Sequence, residues 1–290
     1  MIAQILVNGI MLGAVYALLS IGFSLIYGSA RIINLMHTAL FMLAAYLILT
    51  FFTILHINIW LAVPIALVLT VAIGVLLYKV FVERIREHEN AVFLITIALA
   101  LVIQQVILLV YGSLFKGVEA FIPGFMEVFG VRVANQNLLT LGCVLVCVVG
   151  MVLFLYKTKP GLALRVTAQD REISNLIGIN VNGACTLAVG IGIFFAAIAG
   201  IMVSPMNILE PRMWSHPLTI VLAVVILGGI GSIKGSIIGA LILGLVESAV
   251  VNLLPMGSFV KGAIALAVMV AVLLIRPEGL FGVAFEEERL

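Results

Sequence analysis

Unbroken apolar runs recur along this chain, most of them without an ionisable side chain inside. Each approaches the roughly 20 residues that a helix needs to cross a bilayer. Nine can be drawn, at 4–27, 36–56, 58–78, 91–111, 137–156, 183–204, 217–231, 235–254 and 258–275. The seventh is short, so the stretch near 217–235 is expected to be a full span or a tilted, broken or re-entrant element. A transmembrane β-barrel would alternate apolar and polar residues instead. The fold class that follows is an all-α polytopic bundle of about eight or nine spans, a single membrane domain over residues 1–290.

Composition agrees. The chain is 64% hydrophobic and 10% charged, where a soluble domain is about a quarter charged. So few charges cannot coat a water-soluble surface of this size. That excludes a soluble enzyme, a nucleic-acid binder and a disordered protein. A formal net charge of +2 suggests no polyanionic partner. The first apolar run lacks a basic flank and a small-residue cleavage site, so it is expected to be a membrane helix and not a cleavable signal. Cys143, Cys147 and Cys185 sit in or beside apolar runs, where cysteine behaves as a small hydrophobe. No disulfide framework and no metal cluster are expected.

Basic residues prefer the cytoplasmic side. If the N-terminus is outside and nine segments alternate, the inside receives Arg31, Lys79, Arg84, Arg86, Lys157, Lys159, Arg165, Arg171, Lys234, Arg276 and Arg289. The outside receives only Lys116, Arg132, Arg212 and Lys261, a division of 11 against 4. The expected orientation is N-out, C-in, and it depends on the seventh segment crossing.

The inside loop 157–182 is the longest cytoplasmic connection. After the Pro160-Gly161 turn it mixes apolar residues with Arg165, Gln169, Asp170, Arg171 and Glu172. From about Ala168 to Ile177 the pattern predicts one short amphipathic helix stopped at Gly178. Its Ile and Leu side chains need cover, and two readings fit: a helix lying in lipid headgroups, or a docking element for a cytosolic protein.

Small-residue seams predict close helix packing, since lipid tails give helices no hydrophobic reason to associate. They are Gly9/Gly13, Gly192/Ala196/Gly200, Gly235/Gly239 and Ala240/Gly244. Polar side chains inside the spans are few. An ionisable group at mid-membrane costs at least about 2.5–3.5 kcal/mol on insertion scales, so each needs a partner or a polar path. Glu247 either pairs with Lys261 across the hairpin of the last two spans or lines a pathway. Asn34 and His37 stand at the start of the second span, where backbone or water contacts compete with a functional role. Gln104 and Gln105 offer amides to a solute or to a neighbouring helix.

Gly228-Gly229-Ile230-Gly231-Ser232-Ile233-Lys234-Gly235 is glycine-rich, but the lysine does not directly follow a glycine or precede Ser or Thr. A phosphate loop is therefore excluded, and close-packed or broken backbone at a membrane face is expected. No nucleophile–base–acid arrangement is apparent. Transport without catalysis is what remains. A single clear intramembrane carboxylate is sparse for an ion-coupled carrier, which favours an external energy source. An ion-coupled secondary carrier of a small polar solute and a passive channel are the alternatives.

Four stretches, in order, give the chain a family resemblance. Gly13-Ala-Val-Tyr-Ala-Leu-Leu-Ser-Ile-Gly-Phe-Ser-Leu-Ile-Tyr-Gly28 precedes Ile33-Asn34-Leu35-Met36-His37. Gly161-Leu-Ala-Leu-Arg165 leads through Gln169-Asp170 to Leu176-Ile-Gly178-Ile-Asn180. Leu227-Gly-Gly-Ile-Gly231-Ser leads to Gly239, Gly244 and Glu247, and Arg276-Pro-Glu-Gly-Leu-Phe-Gly282 follows. The chain resembles the LivH-type membrane permease of branched-chain amino acid ABC importers over nearly its whole length.

The resemblance implies a multi-pass subunit of a prokaryotic inner membrane that binds no cofactor. ATP is used by partners: two cytosolic ATPases, beside a second LivM-like permease (or a second copy) and an extracytoplasmic substrate-binding protein. It assigns Arg165, Gln169, Asp170, Arg171, Glu172, Leu176 and Gly178 to ATPase coupling. Asn34, His37, Gly228, Gly229 and Glu247 become pathway or structural candidates, and Gln104 joins them as a pathway candidate from its amide alone. Leu35-Met36 before the motif histidine and Thr38-Ala39 after it depart from the family pattern, which leaves the solute open among branched-chain and other amino acids, amides and urea.

Overall fold

A computed structural model describes residues 1–128 and 130–282. Arg289, counted above among the inside cations, lies outside the described residues. Among the described residues eight helical segments are long and apolar enough to cross a membrane. They are α1 (Ile2–Ala30), α2 (Met36–Ile48, extended to Ile54 by a π-helical turn) and α3 (Ile59–Leu77, extended to Ile85 by π and 3-10 turns). Next come α4 (Glu89–Tyr111) and α5 (Asn135–Lys157), separated by an antiparallel hairpin of β1 (Phe125–Val128) and β2 (Val131–Ala134). Two short helices follow, α6 (Lys159–Gln169) and α7 (Arg171–Leu176). Then come α8 (Val181–Val203), the short α9 (Ser215–Gly228), α10 (Ile233–Leu253) and α11 (Gly257–Ile275).

Small residues decide which helices go inside. α1 and α10 run antiparallel, with Gly9 and Gly13 facing Gly244, Leu245 and Leu241. A Cβ on Gly244 would stand 2.6 Å from the Gly13 Cα and the Gly9 carbonyl, both backbone atoms that cannot swing away. On the α8 side, a Cβ on Gly22 would come within 2.8 Å of the Gly192 carbonyl. Backbone contact of this kind supplies the dispersion attraction that apolar surroundings cannot. The interior therefore consists of α1, α2 and α8, with α10 along one side. α3, α4, α5 and α11 surround them with large exposed aliphatic side chains.

Contacts at the helix ends sort the chain into two faces. At one face Arg171 reaches the Ser29 carbonyl, Cys185 reaches the same carbonyl, and Gly231 lies beside Gly28. The C-terminal strap joins them, with Leu280 N–H donating to Leu227 O and Phe281 N–H to Gly228 O. At the other face Ser248 donates to Ile5 O, and Gln136 and Thr140 of α5 reach Met202 O. Residue 2 and residue 282 thus stand on opposite faces.

The seventh segment is the short, broken element among the expected alternatives. α9 has 14 residues, about 21 Å at 1.5 Å per residue. The non-helical stretch 204–214 joins α8 to α9. Backbone pairing of Leu209 with Lys116 and the buried Trp214 pin that stretch.

The helix expected over 168–177 is instead divided. α6 ends at Gln169, and Asp170 is extended (φ −150°, ψ 122°). The Asp170 carboxylate accepts the Ile173 N–H at 3.0 Å and so caps α7. Thr158, Asn180 and Ser232 cap α6, α8 and α10 in the same way. Such caps are each worth about 0.5–2 kcal/mol.

Candidate functional site: a coupling platform and a buried polar seam

The expected coupling residues gather on the face that carries α6 and α7, but they do different jobs. Arg171 turns inward. Its Nε and Nη2 donate to the Ser29 carbonyl at 3.2 and 3.0 Å. That carbonyl belongs to the last turn of α1, where acceptors lack helical partners and a cation suits the helix dipole. Burial pushes the Arg171 guanidinium below its ordinary value. Arg165 stacks over the Tyr156 ring at 4.6 Å. Asp170 is committed to its cap. Gly178 takes φ +85°, the left-handed conformation glycine accepts most easily, and ends α7. Four of the seven thus shape the platform.

Gln169 and Glu172 remain exposed. Leu176 is 86% exposed, and Ile173 and Ile177 are 54% and 62% exposed. A six-residue helix carrying bare Leu and Ile, held at one end by a capped carboxylate and a two-pronged guanidinium, is a rigid apolar knob.

The expected pathway residues do not form one site. Gln104 accepts from Trp214 Nε1 at 2.6 Å and so fastens α4 to the end of the non-helical stretch before α9. Gly228 and Gly229 are packing positions, with Gly235 against the first and the 281–282 backbone against the second. Asn34 and His37 are buried, and His37 packs against the middle of α1. His37 Nε2 is 3.1 Å from the Leu19 carbonyl, and the ring meets Phe23 edge-on. Around them Ser20 Oγ, both Asn34 amide atoms, His37 Nδ1 and Thr38 Oγ1 have no hydrogen-bond partner among the described residues. Buried polar atoms are rarely left unmade, so this seam between α1 and α2 has bonding capacity to spare.

Glu247 is separate again. Its carboxylate is 1% exposed and is held from two sides, by Lys261 Nζ at 2.7 Å and by the Tyr16 hydroxyl, which donates at 2.6 Å. The pairing alternative for Glu247 and Lys261 is therefore realised. Tyr16 was not anticipated. In the sequence it is one of two tyrosines in a first span that also holds Asn8, Ser20 and Ser24, and nothing local distinguishes it.

The profile of the family described as "branched-chain amino acid transport system / permease component" matches residues 5–275. The chain belongs to this family. It is 30% identical to the high-affinity branched-chain amino acid transport permease BraD of Pseudomonas aeruginosa, over 96% of this chain and 95% of that one. LivH of Escherichia coli is 28% identical over 96% and 95%. A probable LivH of Methanocaldococcus jannaschii is 26% identical over 98% and 94%. The platform and the polar seam are thus features of a multi-pass membrane permease subunit of an importer.

Proposed function

We propose that this permease forms half of a translocation pathway for branched-chain amino acids, leucine, isoleucine and valine, driven by separate ATPases that dock on α7. A second LivM-like permease, or a second copy, supplies the other half, and an extracytoplasmic binding protein delivers substrate. The chain hydrolyses no ATP and binds no cofactor itself. The α6–α7 face is cytoplasmic, which puts the N-terminus outside.

The observation that carries this reading is the exposed Ile173, Leu176 and Ile177 on a helix tied to α1 through Arg171 and Ser29. A helix lying free in headgroups has no need of that tie. A mechanical lever does, because a push on α7 then reaches the buried core. Small-residue packing along α1, α8 and α10 suits movement of these helices as one block.

Radiolabelled leucine uptake tests it, in cells with and without this gene, comparing ATP depletion with an uncoupler at preserved ATP. Uptake that needs the gene and ATP and survives the uncoupler supports the proposal. Uptake lost with the uncoupler while ATP persists points to ion coupling and overturns it. Gene-independent leucine uptake moves the substrate to amides or urea.

A further inference from the structure

The Glu247–Lys261 pair is placed oddly for a mere strut. Glu247 lies six residues before the end of α10, and Lys261 four residues after the start of α11. That is about 6–9 Å below the turn between them at 1.5 Å per residue. The turn is on the face of the α1 N-terminus, where Ser248 bonds Ile5 O. A lysine so near a helix end would ordinarily extend its ammonium to the headgroups. Here it turns inward, yet its side chain keeps 32% exposure while Glu247 is sealed. Tyr16 holds the second carboxylate oxygen, fixing the acid independently of the lysine.

We propose that Glu247 and Lys261, with Tyr16, form a site near the outer face that reads both ends of a zwitterionic α-amino acid. The substrate ammonium takes the place of Lys261 beside Glu247. The freed Lys261 turns to the substrate carboxylate. Two ion pairs replace one, and the net charge in the membrane stays at zero. A singly charged analogue would leave an unbalanced charge in a poorly hydrated place, which is costly. The pre-set carboxylate and the part-exposed, long-stemmed lysine provide one fixed and one movable contact. No residue of the platform on the opposite face takes part. The inference rests on the amino-acid importer reading above and adds to it where the amino acid is held.

The test uses the complete transporter in proteoliposomes: this chain, its permease partner, both ATPases and the binding protein. A structural pair and a binding pair differ in the doubly neutral variant. Removing both members of a buried ion pair is often tolerated, whereas removing one strands a charge. Glu247→Gln with Lys261→Met should therefore assemble. Once assembled, it should move leucine about tenfold less per ATP hydrolysed than the parent, the scale of losing a charge-assisted contact.

The exchanged variant, Glu247→Lys with Lys261→Glu, retains a pair but reverses its polarity, and the same loss is expected. Leucine uptake equal to the parent in either assembled variant would overturn the proposal. So would failure of both to assemble, which would assign the pair to folding alone. A parent complex that couples no ATP to leucine uptake would fail earlier, removing the importer reading and this site with it.

Discussion

α1 and α11 are equally good membrane spans by composition, and their fates in the fold are opposite. In the most apolar 18-residue window 89% of α1 is buried inside the protein, against 6% of α11. The difference lies in side-chain size and not in hydropathy. α1 carries Gly9, Gly13, Gly22 and a series of Ala and Ser, and neighbouring backbones touch it on several sides. α11 presents Phe259, Val270, Leu274 and Ile275 outward, and its Gly262 faces open space. Hydropathy selects what enters the membrane, and small residues select what enters the bundle. α11 is attached at few points: Gly257 against the Val250 backbone of α10, the buried Ala265, and the ion pair of Lys261 with Glu247.

The largest loss is expected at the α1–α10 seam. Gly244→Leu must push two backbones apart, an overpacking penalty of about 3 kcal/mol or more. The expected outcome is loss of the monodisperse peak in detergent size-exclusion chromatography. Lys261→Met should cost about 3 kcal/mol, because it leaves a sealed carboxylate unpaired. Glu247→Gln should cost less, since the lysine left behind is part-exposed and can reach the headgroups. Thermal melts of the two purified variants check that order, and equal losses would contradict the asymmetry. Leu274→Ala on the outer face of α11 should change the melting temperature hardly at all, within about 0.5 kcal/mol. Gly262→Ala, with nothing near its Cβ, should be neutral or slightly stabilising through helix propensity, by up to about 1 kcal/mol.

Much of this was legible in the sequence. Eight spans, the short seventh segment and the glycine seams follow from run length and spacing alone. The glycine-rich 228–235 stretch was rightly expected to be packed backbone. What the sequence concealed is partnership over distance. Tyr16 and Glu247 are 231 residues apart, Gln104 and Trp214 are 110, and Arg171 meets a carbonyl 142 residues away. No local pattern encodes such pairs. The break at Asp170 was hidden for a different reason: aspartate serves equally on a helix surface and at a cap, and neither Gly nor Pro marks the spot. The roles expected of Asp170 and Arg171 inherit that ambiguity, since both turn out to position α7 while the exposed aliphatic residues remain free.

In the proposed mechanism the aliphatic tip of α7 receives an ATPase and passes its motion to α1. The most direct test is ATP-driven leucine uptake by the reconstituted transporter carrying Leu176→Asp, measured beside co-purification of the ATPase subunits. Leu176 is almost fully exposed, so the variant should insert and melt like the parent. The account predicts that the ATPases no longer co-purify and that uptake falls to the level seen without ATP. Normal uptake with the ATPases still bound would contradict it.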